Sequence, residues 1–121
     1  MIKEIEKPKF KLNFIIPENA KYFYNIENKE YFLKSDNFKI YFNNNGDIHR
    51  DNNPALYSLS YKWFDYYQNN IKHREDGYAE NLPHYLFKLN GITYHSFDFA
   101  KKTNHLVCKF CNVFCKQGCF L

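Results

Sequence analysis

The sequence contains very little arginine. Of its 17 basic residues, only Arg50 and Arg74 are arginine, and all the others are lysine. Where a positive charge alone is needed, this chain therefore uses lysine. It keeps the planar guanidinium, which can form two parallel hydrogen bonds with a carboxylate or phosphate, at two positions only. These two positions are the first candidates for a specific role.

Glycine is also scarce, with four residues in 121. The chain has no Gly-x-Gly-x-x-Gly phrase, no phosphate-binding loop, no His-Glu-x-x-His pair and no nucleophile elbow. We therefore expect no catalytic residues and a protein that is not an enzyme. The remaining enzymatic alternative is a small hydrolase, which requires two or more of His49, His73, Asp76 and His95 to converge in one pocket.

Long apolar runs are missing as well. No run approaches the roughly 20 residues that cross a membrane, and the first residues lack the apolar stretch of a signal peptide. We expect no membrane partner and a cytoplasmic protein in which the four cysteines stay reduced. The net charge of +4 argues against an acidic DNA mimic and gives no concentrated basic patch. Lysines that alternate with apolar residues favour a solvated strand face over a phosphate-binding stripe.

Aromatic residues, in contrast, are abundant: 13 Phe, 11 Tyr and one Trp. These side chains favour β-strands and bury large areas when they pack. A chain of this length is expected to form one domain, spanning residues 1–121, with a modest core.

A short phrase containing a histidine recurs along the chain. Its copies cover 45–55, 69–79 and 90–96, and only the first two place an arginine directly after the histidine. The histidines, His49, His73 and His95, are 24 and 22 residues apart, and such a period indicates an array of small structural units. Each copy opens with Asn-Gly or Asn-Asn, and Asn-Gly is the strongest short signal for a tight hairpin turn.

These signals predict a mainly β fold with one C-terminal helix, built as an antiparallel meander of stacked β-hairpin repeats. Residues 1–37 are expected to form leading strands that cap the array, including a strand over 10–16. Residues 38–96 are expected to form about eight short strands. A helix of four or five turns is predicted over 97–121, because Leu106, Val107, Phe110, Val113 and Phe114 recur at helical spacing.

The repeated phrase resembles a tandem repeat of small bacteriophage and large-DNA-virus proteins, which looks related to the stacked hairpins of MORN repeats. The resemblance covers 38–96, although Tyr78 replaces an expected proline and the third copy lacks the Arg-acidic-Asp-Gly part. It implies a hairpin array and a phage or mobile-element origin. The residues that carry it are Trp63, Tyr66, Asn69, His73, Arg74, Glu75, Asp76, Gly77 and Ala79, and in the first unit Asn45, Gly46, His49, Arg50, Asp51, Pro54 and Ala55.

The His-Arg-acidic units have two interpretations. In one, His73 and Arg74 form an anion site with Glu75 or Asp76. In the other, the arginines pair with neighbouring carboxylates and brace consecutive hairpins. Recurrence favours the brace, because a catalytic group is needed once and a structural clasp in every unit. The predicted brace residues are His49, Arg50, Asp51, His73, Arg74, Glu75 and Asp76.

Four cysteines, Cys108, Cys111, Cys115 and Cys119, stand 3, 4 and 4 residues apart, with His105 upstream. On a helix the outermost pair would lie about 16 Å apart, too far for one zinc ion with bonds of about 2.3 Å. Buried free thiols are therefore favoured over a zinc site, and no cofactor is expected, with zinc as the alternative.

The surplus of aromatic residues suggests a binding surface, with Tyr57, Tyr61, Trp63, Tyr66, Tyr67 and Tyr78 as its candidates. We expect a protein partner, which can belong to a nucleoprotein complex; nucleic acid is the alternative. With the phage-like resemblance, this predicts a non-enzymatic binding protein in the host cytoplasm, of the kind of an anti-CRISPR-like inhibitor that occludes a host defence nuclease. The alternatives are a nucleic-acid-binding module using lysine and tyrosine, and a small zinc-binding protein.

Overall fold

Six short strands pair in chain order into one antiparallel sheet. The structure, a computed structural model, describes residues 1–60, 62–80, 85–103, 106–107 and 114–115. Each strand is hydrogen-bonded to the next one along the chain, so the sheet is a meander, as predicted. The strands are β1 (Ile2–Ile5), β2 (Lys21–Asn25), β3 (Glu30–Lys34), β4 (Phe38–Phe42), β5 (Leu56–Ser58) and β6 (Phe64–Asp65).

Beyond β6 the sheet gives way to two-stranded ribbons. β7 (Tyr67–Gln68) pairs with β8 (Ile71–Lys72), and β9 (Phe87–Leu89) pairs with β10 (Ile92–Tyr94). The region 38–96 therefore contains seven strands in its described part, close to the predicted eight, but they do not share one sheet. Single bridges from Glu80 to Asp65 and to Leu86 connect the six-stranded sheet to the region of the β9–β10 ribbon.

The tight turns explain the second and third copies of the phrase. Asn69 and Asn70 both have positive φ (49° and 69°), and so do Asn90 and Gly91 (51° and 82°). Two consecutive residues of this kind form the primed turn that suits the twist of a hairpin, as predicted. The first copy differs, because a five-residue loop, 43–47, joins Phe42 to its bridge partner Ile48, and in this loop only Gly46 has positive φ.

One face of the sheet, called here the core face, carries Tyr22, Leu33 and Ile40, which are all buried. Directly opposed residues of an antiparallel pair share a face, and these three are opposed in register. Phe10 and Phe14 pack on this face from the connection between β1 and β2. That connection forms no strand, so the strand predicted over 10–16 is wrong. Its backbone bonds go elsewhere, because the Asn13 amide donates to the Gly46 carbonyl at 2.7 Å.

The opposite face, called the outer face, carries the ring row: Phe23, Phe32 and Tyr41, opposed on β2, β3 and β4. The ring centroids of successive members are 5.0 and 5.2 Å apart. Phe32 and Tyr41 are buried by these contacts, which are worth about 0.5–1.5 kcal/mol per pair beyond the area they bury.

The predicted C-terminal helix over 97–121 is not confirmed. The helix α1 covers Ser96–Thr103, and beyond it β11 (Leu106–Val107) pairs with β12 (Phe114–Cys115). The apolar spacing that suggested a helix consists largely of β-branched and aromatic residues, which favour strands. Within the described part of the chain, no helix is both long and apolar enough to span a membrane.

Candidate functional site

The Arg50 guanidinium is held on several sides by its own chain. It lies over the ring of Tyr41, with its central carbon 3.7 Å from the ring centroid. Its Nε donates to Glu30 Oε2 at 3.0 Å, and its Nη1 donates to the Pro54 carbonyl at 3.3 Å and to the Tyr57 hydroxyl at 3.1 Å. Both ends of the Arg50–Glu30 pair are largely buried, with side-chain exposures of 15% and 20%.

Arg74 has the same arrangement 24 residues later. Its central carbon lies 4.1 Å from the Tyr66 ring centroid, its Nε donates to Asp76 Oδ1 at 2.9 Å, and its Nη1 donates to the Tyr78 carbonyl at 3.2 Å. Gly77 lies against this guanidinium, since a Cβ added there would come within 2.7 Å of its central carbon. The two arginines thus share a stacked ring, a carboxylate and a carbonyl four residues downstream.

The two histidines also have equivalent contacts. His49 Nδ1 accepts the amide N–H of Asn69, and His73 Nδ1 accepts that of Asn90, at 3.2 and 2.9 Å. Each imidazole therefore fastens the turn of the next hairpin. Because Nδ1 is an acceptor, Nε2 carries the proton, and in His49 it donates to Asp51 Oδ1 at 3.0 Å.

The backbone repeats the same scheme. The Tyr41 amide donates to the Ala55 carbonyl and the Tyr66 amide donates to the Ala79 carbonyl, both at close to 2.8 Å (2.7 and 2.8 Å). Ala55 and Ala79 are completely buried, so a larger side chain has no room at either place. The two phrases therefore correspond in main-chain as well as side-chain contacts.

Of the carboxylates that pair with the two arginines, only one was among the predicted partners. Arg74 pairs with Asp76, one of the predicted partners, whereas Arg50 pairs with Glu30 instead of Asp51. Asp51 faces His49, and Glu75 lies 3.6 Å from His73 Nε2. Glu30 could not be identified from the sequence, because it lies 20 residues upstream on β3 and nothing in its local sequence marks it as a partner of the phrase.

A double-mutant cycle tests how strongly each clasp is coupled. Arg50→Lys and Glu30→Gln are expected to show a coupling of about 1–2 kcal/mol, because the pair is largely buried and lysine cannot reproduce the guanidinium fork. Arg74→Lys and Asp76→Asn, a more exposed pair, are expected to couple by less than about 1 kcal/mol. Urea unfolding of the single and double variants measures both values, and a larger coupling for Arg74 would contradict the assignment.

Two clefts lie beside these phrases. The first, of about 640 Å³, is lined by His49, Arg50 and Asp51 together with Glu30 and aromatic residues of the core face. The second, of about 450 Å³, is lined by Arg50, Asn52, Tyr66, Gln68, His73, Arg74, Glu75 and Asp76. His95 lines a different cleft, beside Tyr78 and Tyr94. The three histidines therefore do not converge.

His73 and Asp76 do line the same cleft, which is the arrangement that a hydrolase needs as a minimum. Asp76, however, accepts a hydrogen bond from Arg74 Nε. The Nδ1 of His73 accepts a hydrogen bond from the Asn90 amide, and its Nε2 faces Glu75. Among the described residues that line this cleft there is no Ser, Thr or Cys that could serve as a nucleophile. The geometry therefore favours a structural use of these groups.

A partly buried charge cluster, which sequence analysis missed, connects β6, β8 and β9. Lys72 Nζ lies 2.8 Å from Glu80 Oε1 and 3.8 Å from Asp65 Oδ2, and Lys88 Nζ lies 3.4 Å from Glu80 Oε2. Burial of Asp65 raises its pKa to about 6, although Lys72 opposes the shift. Asp65 Oδ1 is buried and has no hydrogen-bond partner among the described residues.

The same cluster favours the charged forms of Glu80 and Lys72. Burial raises the pKa of Glu80, but its hydrogen bonds to Lys72 and Lys88 outweigh burial and leave that pKa below its ordinary value. The hydrogen bond from Lys72 to Glu80 likewise outweighs burial and raises the Lys72 pKa. Lys72 and Glu80 are therefore a stable ion pair, whereas Asp65 is the strained member.

Those predicted aromatic binding residues that the structure describes are engaged in contacts within the chain. Tyr57 accepts a hydrogen bond from Arg50, Tyr66 lies under Arg74, and Tyr67 packs against the buried rings of the outer face. Trp63 is half-buried near Phe38, and Tyr78 stacks on Phe87 at 4.4 Å. Tyr61 lies outside the described residues.

Most of the cysteine cluster falls outside the part of the chain that the structure describes. Cys108, Cys111 and Cys119 lie outside the described residues, and Cys115 is described only as part of β12. Among the residues whose side chains are described, no group of three or more His, Cys, Asp or Glu could hold a metal ion.

Comparison with known proteins adds no relative. No family model, no curated protein and no solved structure matches this chain. The contacts within the molecule are therefore the basis for assigning a function.

Proposed function

We propose that this protein is a non-enzymatic macromolecule-binding protein built as a tandem array of MORN-like stacked hairpin units. The observation that carries the proposal is the equivalent internal engagement of Arg50 and Arg74 by a ring, a carboxylate and a carbonyl. Groups that would otherwise be candidates for catalysis are used to fasten the fold. What the array then offers to other molecules is its surface.

The role we propose is inhibition of a host defence nuclease, in the manner of an anti-CRISPR protein, by steric occlusion of its guide or substrate channel. Support comes from the small size of the chain, from the lack of a catalytic sequence motif and from the resemblance of 38–96 to phage and viral repeats. The partner is then a protein, alone or as part of a nucleoprotein complex, in the cytoplasm of the host cell.

Capture of the partner tests this role. We expect the tagged protein to retain a defence nuclease from host lysate, and the purified pair to co-elute in gel filtration at both low and high salt. Added to the isolated nuclease, the protein is expected to abolish cleavage at an equimolar ratio. A captured nuclease that cleaves at an undiminished rate would contradict the role, and so would failure to form any complex.

Two alternatives have their own tests. A small zinc-binding protein would contain about one zinc per chain by elemental analysis, with loss of zinc on replacement of Cys108 and Cys111. A nucleic-acid-binding module is favoured by the arrangement of Lys21, Lys34 and Lys39, which are opposed in register on the outer face of the sheet.

A further inference from the structure

Three lysines stand side by side across the outer face. Lys21 on β2 is directly opposite Lys34 on β3, and Lys34 is directly opposite Lys39 on β4. Neighbouring strands are about 4.8 Å apart, so this lysine row places three positive charges within about 10 Å at its base. Like charges directly opposite each other destabilise a sheet, and the fold itself gives no reason to accumulate them.

The lysine row has no carboxylate partner in the part of the chain that the structure describes. Among the described residues, none of the three lysines forms an ion pair with a carboxylate. The acidic residues that share this face are Glu4, which is opposite Phe23, and Glu30, which is already bonded to Arg50. The outer face therefore presents uncompensated positive charge.

Aromatic rings continue this row and run beside it. The residue opposite Lys39 is Tyr57, and the residue opposite Tyr57 is Phe64; both rings are half-buried. The ring row lies next to the lysines on the same strands, and Lys39 Nζ extends over it, 4.7 Å from the Phe32 centroid and 5.1 Å from that of Tyr41. Cations suited to a phosphate backbone and aromatic rings suited to base stacking are thus adjacent on one face of the sheet.

We propose that this outer face binds single-stranded nucleic acid, with the phosphates on the lysine row and bases on the half-buried rings of Phe23, Tyr57 and Phe64. A basic track flanked by aromatic rings is the arrangement that binds single strands without sequence preference. The inference rests on the proposed function and deepens it, because it names the nucleic acid of the nucleoprotein partner as the component that this face contacts.

The lysine row is suited to the irregular backbone of a single strand. A lysine ammonium binds phosphate as a point charge, without the fixed geometry of a guanidinium fork. This chain keeps both arginines for internal clasps and places only lysines in the row. Three such contacts predict modest affinity that depends strongly on salt.

Fluorescence anisotropy with a labelled oligothymidylate tests the proposal on the full chain. Binding is expected at low salt, and the logarithm of the association constant should fall against the logarithm of salt concentration with a slope of about −2, for three phosphate contacts. The Lys34→Gln variant is expected to reduce this slope by about 0.7. A slope near zero, or no binding at low salt, would overturn the proposal.

Reversing the charge of Lys34 is expected to weaken binding more than neutralising it does, and Lys9→Glu is a matched control. Lys34→Glu should weaken binding on the order of tenfold at low salt, since it removes one contact and adds repulsion. Its stability should equal or exceed that of the wild type, because opposite charges then face each other on both sides. Lys9→Glu makes the same change in net charge just before Phe10, which packs on the core face, and should alter affinity by less than about twofold.

The remaining outcomes are decisive as well. Equal losses for Lys9→Glu and Lys34→Glu would overturn the assignment of the site, and equally tight binding of poly-glutamate would overturn the assignment to nucleic acid. Failure of the proposed function is a separate result, in which the oligonucleotide binds to the lysine row but no partner protein is captured. Conversely, capture of a nuclease by a protein that binds no oligonucleotide would overturn this inference alone.

Discussion

Replacing Gly46 with alanine is expected to destabilise the fold by about 2–5 kcal/mol, the sum of a left-handed backbone penalty and an overpacking penalty. Gly46 has a φ of +85°, and a Cβ built on it would overlap the carbonyl oxygen of Lys11, only 1.8 Å away. The clash is with backbone, which cannot move aside as a flexible side chain can.

The surrounding bonds make this approach rigid. The Asn13 amide donates to the Gly46 carbonyl at 2.7 Å, and the Asn13 side chain donates to the Asn45 carbonyl and to Asp47 Oδ1. Asn70 Nδ2 donates in turn to the Asn13 carbonyl. A methyl group at Gly46 would therefore displace the connection that places Phe10 and Phe14 on the core face, and the loss is expected to be cooperative.

Gly91→Ala is the matched control. Gly91 has nearly the same φ, +82°, but a Cβ there would meet only the Ile71 Cγ2 methyl at 3.3 Å, which can give way. We expect a loss of about 1–2 kcal/mol, from the backbone conformation alone. Urea unfolding of both variants measures the difference. Equal losses would show that the close approach to Lys11 contributes nothing.

Asp65→Asn is expected to stabilise the protein at pH 7, by up to about 3 kcal/mol. This ceiling follows from a carboxyl whose pKa rises from 3.8 to about 6 on folding, at about 1.36 kcal/mol per pKa unit. The charged carboxylate is buried, and its Oδ1 has no hydrogen-bond partner in the part of the chain that the structure describes. Asparagine keeps the shape and removes the charge, while Lys72 keeps its closer partner, Glu80.

The sign of the pH dependence follows from the same shift. Folded Asp65 binds its proton more tightly than unfolded Asp65, so the stability it contributes is fully present below pH 3.8 and is lost as the pH rises through about 6. Glu80 has the opposite dependence: its stabilisation is complete above 4.5 and is lost as the pH falls through its lowered folded value. Between roughly pH 5 and 7, Asp65 therefore dominates this cluster.

The measurement compares unfolding free energies of wild type and Asp65→Asn from pH 4 to pH 7.5. Their difference should grow with pH across this window and level off above about 7. Asp36→Asn, at an exposed residue in the turn before β4, is the control for removing one carboxylate outside the cluster. A packing penalty of the amide would shift the Asp65→Asn difference by a constant. A difference that does not change with pH would contradict the buried charge.

The hairpins and their turns could be predicted because their signals are local. Asn69-Asn70 and Asn90-Gly91 tolerate positive φ, and the aromatic residues before them favour strands, so the ribbons follow from neighbouring residues. The strand predicted over 10–16 was wrong for the converse reason. Its alternating pattern was suitable for a strand, but Asn13 found better partners in the loop 43–47, which is distant in sequence.

In the candidate site, too, contacts between neighbouring residues could be predicted and contacts between distant strands could not. Arg50 and Arg74 were identified from the sequence, because a rare residue type recurring in one phrase marks a repeated contact. The partner of Arg74 was foreseen two residues away, whereas the partner of Arg50, Glu30, lies on another strand. Of the aromatic candidates, Tyr57 and Tyr66 contact the two arginines, which the sequence did not indicate.

By itself, the sequence determined where the hairpins at Asn69-Asn70 and Asn90-Gly91 turn and which two cations recur in one phrase, since these depend on backbone preferences and on composition. Only the tertiary structure decided which charges meet. It set Lys21, Lys34 and Lys39 in one row and buried Asp65 beside Lys72. The reason is that cross-strand register and burial depend on pairing between distant segments, and electrostatic energy depends on the distances and the solvent exclusion that this pairing creates.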